Sequence, residues 1–392
     1  MMSATTNRSI LPIIVISQFL CTSLWFAGNA VLPDITGNFP KEMNLLANLT
    51  SMVQLGFIGG TLVFAFFALS DIFSPSKVFF VCGIAAALFN LGICLDVKEV
   101  NVLLLFRFLT GFMLAGIYPV GMKIASDYFK DGLGKSLGFL VGALVFGTAF
   151  PHLLKNFTGS FAWEYVIYAT SALAVLGAFL IFMLVPDGPF RVAAQQFNLV
   201  ASLSGFKNAS FRAAAFGYFG HMWELYTFWA FLPGMLLLYN STHPAATINV
   251  SLFSFLIIAS GGISCMVGGL LSQRFGAKRI ATIALALSGL CCLLSPVFLF
   301  SSSMYLFLIF LFTWGLSGTA DSPLFSSLVA KHAPEKLRGT SLTLVNCIGF
   351  AITIMSIQVI NLFAKEINSH YLYMLLAIGP VLGLIALTKP KK

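Results

Sequence analysis

The chain has 392 residues, of which 58% are hydrophobic and 9% charged, with a formal net charge of +9. A soluble domain carries about 25% charged residues, so this chain has too little polar surface for a water-soluble globule and reads as an integral membrane protein. Long unbroken apolar runs, rather than segments alternating at every second residue, exclude a membrane β-barrel and leave helices as the spanning elements.

A bilayer core about 30 Å thick takes about 20 apolar residues per helical crossing. The first apolar run, 10–33, is too long for a signal-peptide core and lacks a small-residue cleavage site, so it is expected to be a crossing rather than a leader. The remaining spans are predicted at 47–69, 78–96, 102–125, 136–155, 163–185, 211–238, 247–271, 280–300, 304–330, 339–362 and 371–388, which makes twelve. Between the sixth and seventh lies PDGPFRVAAQQFNLVASLSGFKNAS, the most polar long interval. The expected organisation is a six-helix bundle over 1–188, a cytoplasmic linker over 189–210 and a second six-helix bundle over 211–392.

With both termini placed in the cytoplasm, sixteen Lys and Arg residues fall on the cytoplasmic side and four (Lys41, Lys98, Lys155 and Lys365) on the outer side. This positive-inside bias sets the expected topology. It also accounts for the net charge without a nucleic-acid partner, because the basic residues are scattered over many short loops. The seven cysteines all lie in predicted apolar segments, without metal-ligand spacing or a disulfide framework. No metal or other cofactor is expected.

The two halves repeat. Leu32-Pro33 at the end of the first crossing matches Leu232-Pro233 in the seventh. LGKSLGFLVGALVFG at 133–147 is similar to LRGTSLTLVNCIGF at 337–350, and each follows a crossing that contains a proline, Pro119 or Pro323. A duplication of six crossings explains an offset of about 200 to 205 residues. Paired repeats with a site near the midplane are a common plan among secondary transporters.

Specific loop motifs extend this pattern. GLLSQRFGAKR at 269–279 carries Gly269, Arg274, Gly276, Lys278 and Arg279; FALSDIFSPSK at 67–77 carries Asp71 and Lys77; RFLTGFMLAG at 107–116 places an arginine ahead of spaced glycines. Together these resemble the major facilitator superfamily over essentially the whole chain. Gln273 stands where that family's loop signature usually has aspartate, and the first copy lacks both glycines. The resemblance implies an all-α fold of two pseudo-symmetric six-helix bundles and a gating role for these loop residues. Physically, glycine allows a tight turn and close helix approach, and an aspartate can face a helix N-terminus. The alternative is that they set only topology and the turn.

Charges inside apolar crossings are costly and mark function. Here they are Arg107, Lys123, Glu224 and Asp321, with His221 beside them. Tyr218, His221 and Glu224 are spaced to share one helical face. Buried together, an acid and an imidazole can gain and lose a proton in each cycle, although a structural Glu–His pair is the plainer alternative. Asp321 follows Gly315 and Gly318 and precedes Pro323, so its segment is expected to bend. The resemblance implies an inward-facing, coupling Arg107, whereas snorkelling is the plain reading. Lys123 is expected to pair with Asp127, four residues on. Candidate cavity-lining residues are Gln18, Trp25, Asn29, Gln54, Tyr118, Tyr218, Trp223, Tyr226 and Asn346, which mix aromatic walls with a few directed amides. Ordinary helix packing explains each of them equally well.

No HExxH, CxxC, phosphate-loop or nucleophile-elbow motif is present, so an enzyme is not expected. Nor is direct drive by ATP on this chain. Nitrate-type members of the superfamily carry an arginine in the second and eighth crossings; this chain has none there. The expected function is secondary active transport of a small organic solute by alternating access, coupled to protons through Glu224, Asp321, His221 and Arg107. The net charge of the Glu224 face leans toward a cationic or zwitterionic solute, and Arg107 leans the other way. Export of amphipathic compounds and import of a metabolite both remain open, as does a transport-dead sensor or assembly partner. A monomer in a bacterial inner membrane is expected.

Overall fold

The computed structural model describes residues 4–37, 39, 44–95, 99–129, 133–159, 161–191, 199–245, 247–334, 337–364 and 370–388, with the backbone alone for 4–8, 133–135 and 199–200. Among the described residues there is no strand. The expected basic loop positions Lys41, Lys98, Lys130, Lys336, Lys365, Lys389, Lys391 and Lys392 lie outside the described residues, as do the side chains of Arg8 and Lys135.

The chain divides into two compact units, Met1–Phe197 and Asn198–Lys392. In the first, α1 spans Ala4–Thr22, α2 Leu45–Phe66, α3 Pro75–Leu91, α5 Leu133–Thr158 and α6 Glu164–Leu184. The fourth crossing, α4, covers Val100–Tyr128. In the second unit, α7 spans Ala209–Thr242, α8 Val250–Phe275, α9 Ala277–Phe298 and α11 Arg338–Phe363. The tenth crossing, α10, covers Met304–His332, and the twelfth, α12, Leu372–Thr388. Nine described helices are long and apolar enough to cross a membrane, and α1 and α12 add two shorter apolar segments. The 34-residue α7 is long enough but is not among the nine; it carries Arg212, His221 and Glu224.

Two of the breaks fall just before a proline. Helix α4 stops at Leu114 and resumes at Tyr118, with Pro119 in the first turn of its second piece. Helix α10 breaks at Asp321, with Pro323 in the first turn of Ser322–His332. Proline has no N–H to donate and its ring crowds the carbonyl four residues back. At the start of a new helical piece neither defect costs anything.

The duplication is visible in packing within each unit. A Cβ at Gly111 of α4 would collide with the Val53 carbonyl of α2. In the second unit, a Cβ at Gly315 of α10 would lie 2.8 Å from the Ile257 carbonyl of α8. Both members of this contact, and the two prolines, are displaced by the same 204 residues. Trp25 and Trp229 keep that spacing too, and both are buried. Beyond them the copies diverge. Pro33 follows Trp25 by eight residues, whereas Pro233 follows Trp229 by four. The longer copy is broken: α1 ends at Thr22, residues 23–26 turn, and short helices Ala27–Ala30 and Leu32–Thr36 follow. The shorter copy is the unbroken α7, which runs straight through Pro233.

The ends of the predicted linker are ordered against their own units. The Arg191 guanidinium donates to the carbonyls of Asp71 and Phe73, both at 2.7 Å. The Tyr128 hydroxyl donates to the Pro186 carbonyl at 2.6 Å. Residues 192–198 of the linker lie outside the described residues, and a short helix, Leu199–Leu203, precedes α7.

Candidate functional site

The second unit gathers two buried acids around α7. Glu224 is 2% exposed and Asp321 is fully buried. The Trp314 indole N–H of α10 donates to Glu224 Oε1 at 2.6 Å, and the Ser288 hydroxyl of α9 donates to Oε2 at 2.8 Å. Glu224 makes no ion pair among the described residues. Both its oxygens are therefore engaged by uncharged donors of the protein itself.

His221 faces Asp321 rather than Glu224. Its Nδ1 lies 2.8 Å from Asp321 Oδ1, with both side chains buried. The fixed Glu–His pair considered from the sequence is thus replaced by a His–Asp pair across two helices. His221 Nε2 and Asp321 Oδ2 have no hydrogen-bond partner among the described residues. Asp321 occupies the break in α10, as its glycine and proline neighbours predicted.

The shared face predicted for Tyr218, His221 and Glu224 splits between partners. The Tyr218 hydroxyl donates to the Asn346 amide oxygen on α11. Nearby, Thr353 of α11 donates to the Met222 carbonyl and Thr227 of α7 to Ser356. Trp223 donates to the Leu375 carbonyl of α12 at 3.1 Å. The ring of Tyr226 packs on Trp229 and Phe350. Polar groups on every side of α7 are thus met by α9 to α12 of the same unit.

In the first unit, Arg107 is fully buried and points inward; it does not snorkel. Its guanidinium donates to the carbonyls of Leu24 at 3.3 Å and Trp25 at 2.6 Å, and to the Asn90 amide oxygen at 3.3 Å. Asn90 in turn donates to Thr170 and Ser171 of α6. Arg107 therefore binds the carbonyls freed where α1 breaks. Gly28 sits against the guanidinium, where a Cβ would lie 3.4 Å from Nε. Asn29 donates to Thr50 of α2 at 2.7 Å, and Trp25 packs on Phe57. Gln18 and Gln54 are fully buried, and neither amide has a hydrogen-bond partner among the described residues. Tyr118 is buried at the start of the second piece of α4.

The loop residues are placed differently from expectation in two respects. Lys123 makes the expected i,i+4 ion pair with Asp127 at 3.9 Å, but its closer partner is Asp71 at 2.7 Å. Asp71 lies in the α2–α3 connection, outside α4, so helical spacing alone could not show this contact. Gly269 was expected to permit close helix approach, yet a Cβ there would meet nothing within 4 Å. Gly276 has φ +86°, a left-handed conformation that needs glycine. Lys77, Arg274, Lys278 and Arg279 are exposed, and Arg274 lies over the Phe275 ring.

Sequence reasoning missed Trp314, Ser288 and Asn90. Each is a lone hydrogen-bonding side chain in an apolar crossing, the same signal that singled out Glu224, but weaker because none is ionised. Among the described residues no cluster of three or more His, Cys, Asp or Glu is arranged to hold a metal ion.

The family profile described as Major Facilitator Superfamily matches residues 14–387. The chain belongs to the major facilitator superfamily. It is a multi-pass membrane transporter, not an enzyme. Solved structures share the fold. The proton:xylose symporter XylE, bound to 6-bromo-6-deoxy-D-glucose, matches with a TM-score of 0.76 at 12% identity, covering 97% of this chain and 95% of its own. The human organic anion transporter MFSD10 (TETRAN) matches at 0.73 and 14% identity, covering 97% and 99%. A bacterial homologue of the human lysosomal transporter Spinster, inward-facing and unoccupied, matches at 0.71 and 14%, covering 98% and 95%. No curated protein sequence matches the chain.

Proposed function

We propose that this superfamily member is a secondary active transporter of a small organic solute, working by alternating access and coupled to protons through Glu224, with Asp321 and His221 assisting. The observation that carries the reading is the Glu224 carboxyl, buried in a transmembrane unit and held by Trp314 and Ser288 with no cation paired to it among the described residues. A permanently charged carboxylate in such a place is expensive; one that is neutral for part of a cycle is not. With each oxygen bonded to a protein donor and the side chain buried, Glu224 is read here as a group that solute does not reach. Its role in this reading is to carry the proton, and the cationic lean read from the sequence loses its main support.

In this reading the termini are cytoplasmic, the membrane is a bacterial inner membrane and the functional unit is a monomer. Loop residues Asp71, Lys77, Gly269, Arg274, Gly276, Lys278 and Arg279 act in gating. The solute lies against polar groups drawn from Gln18, Trp25, Asn29, Gln54, Tyr118, Tyr218, Trp223, Tyr226 and Asn346. Arg107 is assigned to holding the break in α1 open rather than to proton transfer.

Proteoliposomes with an internal pH-sensitive dye test this directly. A panel of sugars, organic acids, amines and zwitterions is added outside, without an imposed pH gradient. A coupled solute moves protons in the wild type and moves none in Glu224→Gln. Solute uptake with no proton movement in either protein would overturn the coupling, and binding without any flux would make the chain a sensor.

A further inference from the structure

Ser288 has two hydrogen-bond partners, and the pair of them defines a switch. Its Oγ lies 2.8 Å from Glu224 Oε2 and 3.2 Å from the Leu285 carbonyl one turn back on α9. A hydroxyl has one hydrogen to donate and two lone pairs with which to accept. The indole of Trp314 has a hydrogen and no lone pair to offer. Oε1, at 2.6 Å from that indole, is therefore an acceptor whether or not the carboxyl carries a proton. An O–H oxygen is a poorer acceptor than a C=O oxygen, so the indole bond at Oε1 favours a proton on Oε2, the oxygen facing Ser288.

We propose that Ser288 is the positioning residue that lets Glu224 take up and release its proton without repacking. When Glu224 is ionised, the Ser288 O–H donates to Oε2. When a proton arrives from water and binds Oε2, that O–H donates to Ser288 Oγ. The serine then turns its own hydrogen to the Leu285 carbonyl. No hydrogen bond of the carboxyl is lost in either state, and no heavy atom has to move. A lysine or an amide N–H in place of Ser288 could only donate, and the protonated acid would face it without an acceptor. A buried polar group left unpaired costs about 1–3 kcal/mol, so a two-way partner removes a penalty that a fixed donor would impose on one state.

Other groups of the unit do not take over this role. Cys292 lies one turn beyond Ser288 on α9, and a thiol is only a weak donor and a weak acceptor. Asp321 on α10 is paired with His221 and is not a hydrogen-bond partner of Glu224 among the described residues. His221, on α7 itself, is engaged with Asp321.

The inference rests on the reading of Glu224 as the proton carrier, and infrared titration of the reconstituted full-length chain separates the two. Wild type, Glu224→Gln, Ser288→Ala, Ser288→Cys and Ser288→Thr are compared from alkaline to acid pH. Wild type should show a protonated-carboxyl C=O band that is absent from Glu224→Gln. That band should move to higher wavenumber in Ser288→Ala, where the acid O–H has lost its acceptor, and in Ser288→Cys, where only a weak one remains. Ser288→Thr should return it to the wild-type position, and the cysteine variant keeps the packing if the alanine variant fails to fold. A band unmoved in both Ser288→Ala and Ser288→Cys overturns the role of Ser288 while leaving Glu224 as the proton site. If Glu224→Gln removes no band, Glu224 takes up no proton, and both readings fall.

Discussion

His221 Nδ1 and Asp321 Oδ1 are 2.8 Å apart, joining the middle of α7 to the break in α10 inside one unit. The pair couples a helix without a break to one that bends at the very residue making the contact. Asp321 thus does two jobs, ending one helical piece and holding the imidazole.

Removing one partner of this pair should cost more than removing both. Breaking a buried pair on one side costs about 3–5 kcal/mol, because the other group is left buried and unpaired. His221→Leu and Asp321→Leu should each lower the thermal unfolding temperature in detergent. The double substitution should lower it by no more than the worse single one. Strictly additive losses would mean that the contact carries no coupling energy.

Arg107→Lys should fail to replace the arginine. A lysine keeps the charge but not the planar fork that reaches Leu24, Trp25 and Asn90 together. The expected signature is faster backbone hydrogen exchange over residues 23–30, with exchange in α7 unchanged. Wild-type protection in the lysine variant would show that the break in α1 is held by something else.

Glycine positions should sort by what stands opposite them. Gly111→Ala drives a methyl into the Val53 backbone and Gly315→Ala presses one on that of Ile257. Backbone cannot swing aside as a side chain can, so losses of about 1–3 kcal/mol or more are expected from overpacking. Gly138, Gly234 and Gly269 have nothing within 4 Å of the same position. Alanine there should leave thermal stability unchanged or raise it by up to about 1 kcal/mol. Equal losses in both groups would refute the close α2–α4 and α8–α10 crossings.

Twelve crossings could be read from the sequence because apolar length is a strong local signal. The breaks at Asp321 and near Tyr118 were readable only in part, through Gly and Pro. The break in α1 was not, because residues 23–26 contain neither proline nor glycine. It needs Arg107, which is more than eighty residues away, to satisfy its carbonyls. The same limit applies to the site. Helical spacing put Tyr218, His221 and Glu224 on one face but could not say which neighbours they meet. Whether His221 pairs with Glu224 or Asp321 depends on how α10 approaches α7, and a periodicity holds no record of that. The Lys123–Asp71 contact escaped for the same reason: a neighbour in sequence, Asp127, was the only one visible.

The four residues by which the first copy exceeds the second between tryptophan and proline leave the duplicated helices held in different ways. An unbroken helix such as α7 is secured by its own backbone ladder, which gives way cooperatively and only as a stretch. At the joint in α1 that ladder is interrupted, and one guanidinium fastens the loose ends. Freeing the joint means moving a single side chain; freeing α7 means melting turns of helix. One ancestral crossing has thereby become a bolted hinge in the first unit and a solid bar in the second.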